Sequence, residues 1–224
     1  MHRPMSKKIF VYLFFFIILS TSNNISLNNS NVSKIKKINV SGLSQKENLK
    51  ILNEINLLNL DNIFFVVKSD ITDIIEKNSL VETFYVKKKY PSELNIEIKK
   101  TNFLANLKSK DKLFYIGSNG KLIFSKFKNE NLPNVYGNPT AKDFIKFKTI
   151  IESSKFDFNE ISEVYFFRSK RWDIKTKKEL LIKLPDKDIK EAFNLSYVIM
   201  NDINFFNVKL IDLRIKNQII TNEQ

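Results

Sequence analysis

Three observations predict an α+β protein with an N-terminal membrane segment and two folded units behind it. A wholly apolar run, IFVYLFFFIIL (Ile9–Leu19), comes after a basic flank. Residues 34–101 then carry two- and 3.6-residue hydrophobic periods in the order β-α-α-β-β. Residues 102–221 read as a mixed, mostly antiparallel β unit with two helices, and 222–224 as a short tail. With 43% hydrophobic residues among 224, the chain can bury a core in each unit.

The opening octet, MHRPMSKK, holds Arg3, Lys7 and Lys8. A positive flank before an apolar run keeps residues 1–8 in the cytoplasm and sends the residues beyond the run across the membrane. As a helix, the eleven apolar residues cover roughly 16 Å against a hydrocarbon core of about 30 Å, which suits a cleavable signal sequence. Taken as a signal-anchor over 9–27, with its apolar core at 9–19, the segment reaches about 28 Å and carries Ser20–Asn24 toward the headgroups. Ser20-Thr21-Ser22 would serve as a small-residue cleavage site, so both fates are open on length alone. Polar residues rich in Asn and Ser come next, with 28–33 as the linker.

The first folded unit opens with KIKKINVSG, in which Ile38 and Val40 alternate with polar neighbours and Gly42 ends the strand. Ser44 and Glu47 form a capping box ahead of Leu49, Leu52, Ile55 and Leu58 at helical spacing. Ser69 is positioned to cap a second, short helix bearing Ile71, Ile74 and Ile75. A hairpin closes the unit: one strand near Val81–Lys88, a turn at Tyr90-Pro91-Ser92-Glu93, and a strand with Leu94, Ile96 and Ile98 on one face. In the second unit, KLFYIGSNGKLIF reads as a hairpin with a type I′ turn at Asn119-Gly120, and LPNVYGNP as an irregular connection. A helix near Ala141–Glu152 presents Phe144, Phe147 and Ile151. Strands are expected around Ile161–Phe167, Arg171–Thr176 and Leu180–Leu184. A helix from about Lys187 to Ile203 precedes a last strand in which Ile211, Leu213 and Ile215 alternate with Asp212, Arg214 and Lys216.

Composition removes several function classes. Without cysteine there is neither a disulfide nor a thiolate metal site. The single histidine, His2, lies in the targeting segment, so no Ser-His-Asp triad or multi-histidine metal site can form. Four glycines cannot build a phosphate loop, and the expectation is a protein that is not an enzyme and holds no cofactor. The net charge of +13 is spread along the chain with abundant Asn, Ile and Phe, as in an A/T-rich coding sequence, and no nucleic-acid partner is expected. Arginine is the exception: four against 33 lysines, with Arg171 and Arg214 both on predicted strands.

Six stretches in this order resemble the FtsQ/DivIB family of bacterial cell-division proteins: IKKINVSG (Ile35–Gly42), VKKKYPSELNIEI (Val86–Ile98), LFYIGSNGKLI (Leu113–Ile123), LPNVYG (Leu132–Gly137), SKRWDIKTKKELLIKLP (Ser169–Pro185) and VKLIDLRIKNQII (Val208–Ile220). Lys99-Lys100-Thr101-Asn102, Ile116-Gly117, Ile215 and Gln218 depart from what relatives usually carry. The resemblance implies a POTRA domain over 34–101 and a β domain over 102–221, behind a signal-anchor that is retained. It implies a single-pass protein of the bacterial inner membrane, N-terminus in the cytoplasm and bulk in the periplasm, enriched at the division septum. Its partners would be FtsB and FtsL-like subunits on the β domain, leading to septal peptidoglycan synthesis, and other septal membrane proteins on the POTRA domain. The terminal strand edge would receive FtsB, with Arg214, Ile215, Asn217, Ile219, Arg171 and Trp172 as partner-facing residues. Within the chain, Arg214 could instead pair with Asp212 or Glu179, and Trp172 could be core. A POTRA-bearing periplasmic chaperone or translocation component is the alternative function.

Overall fold

The computed structural model describes residues 7–21, 34–109, 111–205 and 207–223. Residues 1–6 of the expected cytoplasmic tail, residues 22–33 with the linker and the end of the signal-anchor, and Gln224 lie outside the described residues. Helix α1 (Lys7–Thr21) contains the apolar run. Among the described residues no helix is long and apolar enough to cross a membrane.

The first unit is a three-stranded sheet under two helices. Its strands are β1 (Lys37–Ser41), β2 (Val81–Lys89) and β3 (Glu93–Lys100), in the order β1-β3-β2, with β1 parallel to β3 and the β2–β3 hairpin antiparallel. Helices α2 (Gln45–Asn56) and α3 (Ser69–Lys77) connect β1 to β2. Ser44 caps α2 by accepting the Glu47 N–H. The face that α2 buries is Ile51 and Ile55, whereas Leu49 and Leu58 are exposed. Helix α3 is capped differently from expectation: Lys68 stands at the cap without a side-chain bond, and the Asp70 carboxylate takes the Val67 N–H. Gly42 is held at φ +109° with its α-carbon against Ile98, where a Cβ would meet the carbonyl oxygen at 1.7 Å; only glycine lets the chain leave β1 there.

The second unit is a nine-stranded sheet in the order β12-β11-β10-β9-β8-β7-β4-β5-β6. Its strands are β4 (Phe103–Ser109), β5 (Lys112–Gly117), β6 (Leu122–Ser125), β7 (Asn134–Tyr136), β8 (Ile161–Phe166), β9 (Trp172–Thr176), β10 (Leu181–Lys183), β11 (Val208–Asp212) and β12 (Ile220–Glu223). Helix α4 (Ala141–Glu152) joins the parallel pair β7 and β8, and α5 (Ile189–Met200) joins the parallel pair β10 and β11. The other pairings, apart from parallel β4–β7, are antiparallel. Cross-strand register aligns one residue from each strand into a continuous row: Phe124, Phe114, Leu107, Val135, Val164, Ile174, Ile182, Ile211 and Thr221. From Leu107 to Ile211 this row is buried in one core with Phe144, Phe147 and Phe193 from the helices.

Several local expectations change. The LPNVYG stretch is not wholly irregular, because Asn134–Tyr136 is inserted between β4 and β8 as a parallel strand. The Asn119-Gly120 turn is not type I′: Gly120 has positive φ but Asn119 does not, since the Asn119 amide is engaged elsewhere. Its Nδ2 donates to the carbonyls of Ser79 (2.9 Å) and Val81 (2.8 Å), its N–H donates to Thr101 Oγ1, and nearby Ser118 Oγ donates to Glu82 (2.8 Å). The turn is thus the fastening between the two units. Helix α5 stops at Met200, short of the expected Ile203, which is exposed in a 3-10 turn. The last expected strand ends at Asp212, and residues 213–219 form a loop leading to β12.

Trp172, for which a core position and a partner-facing one were both open, belongs to the core. Its ring stacks on Phe147 (centroids 4.5 Å apart, planes 10° apart) and contacts Phe166 and Phe144. Trp172→Ala is expected to cost about 3–5 kcal/mol in a urea titration, as for a large aromatic removed from a packed site. Asn119→Ala is expected to cost roughly 1–2 kcal/mol and to raise amide exchange around Ser79–Glu82, measured by mass spectrometry.

Candidate partner-binding site

Period-2 alternation means that a buried row on one face of the sheet is flanked by rows on the other. One flanking row is Tyr136, Tyr165, Asp173, Lys183, Asp212 and Ile220, running from β7 to β12. It holds two buried carboxylates, Asp173 (4% exposed) and Asp212 (6%), with Lys183 directly between them. Buried carboxylates must be paired and hydrogen-bonded, and here each has an arginine two residues away. Arg171 Nε donates to Asp173 Oδ1 (3.2 Å), which also accepts the Leu184 N–H. Arg214 is bound more completely: its Nε donates to Asp212 Oδ1 (2.8 Å), its Nη2 to Oδ2 (2.5 Å), and its own N–H to Oδ1 (3.1 Å). Two of the four arginines thus compensate the two buried aspartates of one sheet corner, where a forked, planar donor set fits better than an ammonium.

The Arg214 hydrogen bonds hold the Asp212 carboxyl below the ordinary aspartate range, against the opposing effect of burial. At the other end of the row, burial and the bond to Glu163 raise the Tyr165 phenol above its ordinary range. Tyr165 stacks on Tyr136 with centroids 5.1 Å apart, and both phenols donate to the Glu163 carboxylate.

The Asp212 clamp shapes the loop behind it. With Arg214 turned back onto Asp212 and Asn217 in the left-handed region (φ +62°), residues 214–219 curl away from the sheet. The loop and the start of α5 enclose a groove of about 820 Å³. Ala192, Leu195, Ile215 and Ile219 give it an apolar lining, and Asp186, Lys187, Glu191 and Lys216 give it a charged rim. Ile215 and Ile219 are 56% and 46% exposed. Beyond the groove, β12 is the terminal strand of the sheet, so one of its edges faces no strand among the described residues.

Of the six residues singled out in the sequence, Arg214, Ile215, Asn217 and Ile219 line this groove, on a loop instead of a strand. Arg171 sits at the same corner through Asp173 but outside the groove lining, and Trp172 faces the opposite side, toward α4. Sequence reading missed Asp173, Lys183 and the α5 residues Ala192 and Leu195. The mirrored spacings Arg-x-Asp (171–173) and Asp-x-Arg (212–214) were the available signal for the first of these.

Both units have counterparts among known proteins. Residues 33–100 match the family model described as POTRA domain, FtsQ-type, and residues 105–214 match the model for the cell division protein FtsQ/DivIB C-terminal region. The cell division protein FtsQ of Rickettsia felis is 26% identical over 192 residues, covering 83% of this chain and 70% of that protein. The cell division protein DivIB of Staphylococcus aureus is 26% identical over 143 residues, covering 63% of this chain and 33% of that protein. The extracytoplasmic domain of DivIB from Geobacillus stearothermophilus superposes on 47% of this chain and 96% of its own, at 11% identity and a TM-score of 0.35.

Because the folded-state acidity of Asp212 exceeds that of an unfolded aspartate, its contribution to stability is present above about pH 4 and is lost as pH falls through the lower, folded value. Thermal melts of the wild type and Asp212→Asn should therefore differ most at pH 6, with the wild type more stable, and the difference should shrink progressively as the pH falls below about 4.

Proposed function

The chain belongs to the FtsQ/DivIB family of cell division proteins, and on that basis we propose that it is a non-catalytic assembly protein of the division septum. In this reading it links early septal proteins to FtsB and an FtsL-like subunit, and through them to septal peptidoglycan synthesis. The segment 9–27 anchors it once in the inner membrane, N-terminus in the cytoplasm, with the residues from 34 onward in the periplasm. The FtsQ-type POTRA unit serves the other septal membrane proteins and the β unit serves FtsB.

The observation that carries this reading is the uncovered edge of β12 beside an apolar groove. A free strand edge offers N–H and C=O groups in register for an added strand, and exposed Ile215 and Ile219 give such a strand side-chain anchors. Arg214 acts mainly from within: bound to Asp212, it holds the loop that presents Ile215, and its half-exposed guanidinium leaves positive charge at the groove mouth for an acidic residue of the partner. Substituting Arg214 would leave Asp212 buried without its partner and confuse folding with binding.

Exposed apolar positions give a cleaner test. Ile215→Glu and Ile219→Glu should each abolish co-purification with FtsB from the same genome, while shifting the melting temperature by no more than a degree or so, as surface changes do. Retention of FtsB by the double variant would reject the groove and edge as its site. A fluorescent fusion distributed evenly around the cell, with no midcell accumulation in dividing cells, would reject septal assembly and favour a periplasmic chaperone.

A further inference from the structure

The POTRA unit displays an apolar surface that the proposed assembly role leaves unused. It is built from the α2–α3 connection, residues 57–67, and from the tip of the β2–β3 hairpin. Leu57 is 79% exposed and Phe65 73%, and Phe64, Val67 and Tyr90 are each more than half exposed. The surface is constructed, not frayed. Ile63 and Val66 of the same connection are buried, Asn62 Oδ1 accepts the Phe64 N–H (2.9 Å), and Lys88 Nζ donates to the Phe64 carbonyl (3.1 Å). Phe64 also stacks on Tyr90, with centroids 5.1 Å apart. The fold thus buries two side chains of the loop and uses hydrogen bonds to hold its aromatic neighbours outward, which water alone opposes.

The chain itself limits what can lie near that surface. Lys34 bridges to Asn62 and the Ile35 N–H donates to the Asp61 carbonyl, so the polypeptide enters the POTRA unit at the base of the aromatic loop. The apolar helix α1 ends at Thr21, and thirteen residue steps from there to Lys34 span at most about 47 Å. Lysines rim the patch: Lys34, Lys36 and Lys37 at the entry, and Lys88 and Lys89 beside Tyr90, against the carboxylates of Asp61, Asp70 and Glu93. Glu93 pairs with Lys89 and Asp70 accepts the Val67 N–H, which leaves Lys34, Lys36, Lys37 and Lys88 against the carboxylates of Asp61 and Asp70. Aromatic rings with a cationic rim match the boundary between acyl chains and anionic headgroups.

We propose that residues 57–67 and the hairpin tip at Tyr90 dock the POTRA unit onto the surface of a bilayer containing anionic phospholipid, with Phe64, Phe65 and Tyr90 among the headgroups. The inference rests on the reading that the segment containing α1 is the membrane anchor. Docking fixes the orientation of the POTRA unit at the membrane, leaving the β-unit groove free for a partner.

The test uses the full chain carrying Phe65→Trp, reconstituted into vesicles of phosphatidylglycerol and phosphatidylcholine or of phosphatidylcholine alone. Emission is compared with that of the wild type, whose single tryptophan, Trp172, is buried. The added emission should shift to the blue and be quenched by lipids brominated near the headgroup in the anionic vesicles. Lys36→Glu with Lys37→Glu in the same chain should remove both effects. Resistance to alkaline carbonate extraction reports the anchor separately. Unquenched, water-like emission in anionic vesicles overturns the docking proposal whether or not the chain resists extraction. A blue shift that needs no lipid and grows with protein concentration also overturns it, in favour of a second copy as occupant.

Discussion

Sheet register organises the β unit: it aligns a buried apolar residue from each of six strands into a row beneath helices α4 and α5. Leu107, Val135, Val164, Ile174, Ile182 and Ile211 come from six strands separated by up to a hundred residues, and pairing brings them side by side. A one-residue slip in any strand would turn its apolar side chain to the opposite face. That cost sets the register of the whole sheet, including the short strands β7 and β10, which have few hydrogen bonds of their own.

The register then dictates what sits beside the row. Asp173, Lys183 and Asp212 fall into line across three strands because their neighbours Ile174, Ile182 and Ile211 do. Two carboxylates are thereby buried at one corner, and the arginines two residues away satisfy them. At β11 this requirement also ends the strand. Once Arg214 folds back onto Asp212, its backbone N–H serves the same carboxylate and is no longer free for a ladder, so the chain leaves the sheet and forms the groove wall. Electrostatic satisfaction of one buried aspartate and the shape of the candidate partner site are one event.

The two units are joined by polar contacts, chiefly the Asn119 amide on the Ser79 and Val81 carbonyls and Ser118 on Glu82. A polar fastening of this kind holds an orientation without merging two hydrophobic cores, and those cores remain separate. A chain with a basic, aromatic surface on the POTRA unit and an apolar groove on the β unit can thus face two different partners at once.

Strand and helix order was legible in the residues themselves, because period-2 and 3.6-residue patterns, capping residues and turn residues act within a few positions of one another. The β-α-α-β-β order, the Tyr90-Pro91 turn and the α4 limits at Ala141 and Glu152 could all be read for that reason. Contacts between residues far apart in the chain decided the rest. Strand β7, three residues long, exists because β4 and β8 leave a gap of one strand's width with free hydrogen-bonding groups on either side. Trp172 is core because α4 lays Phe147 on it, and Asn119 leaves the type I′ conformation because carbonyls some forty residues earlier claim its amide. The alternation of residues 211–216 predicted a strand up to Lys216. The burial of Asp212, which depends on Lys183 in the neighbouring strand and on no local pattern, cut it short and turned Arg214 inward.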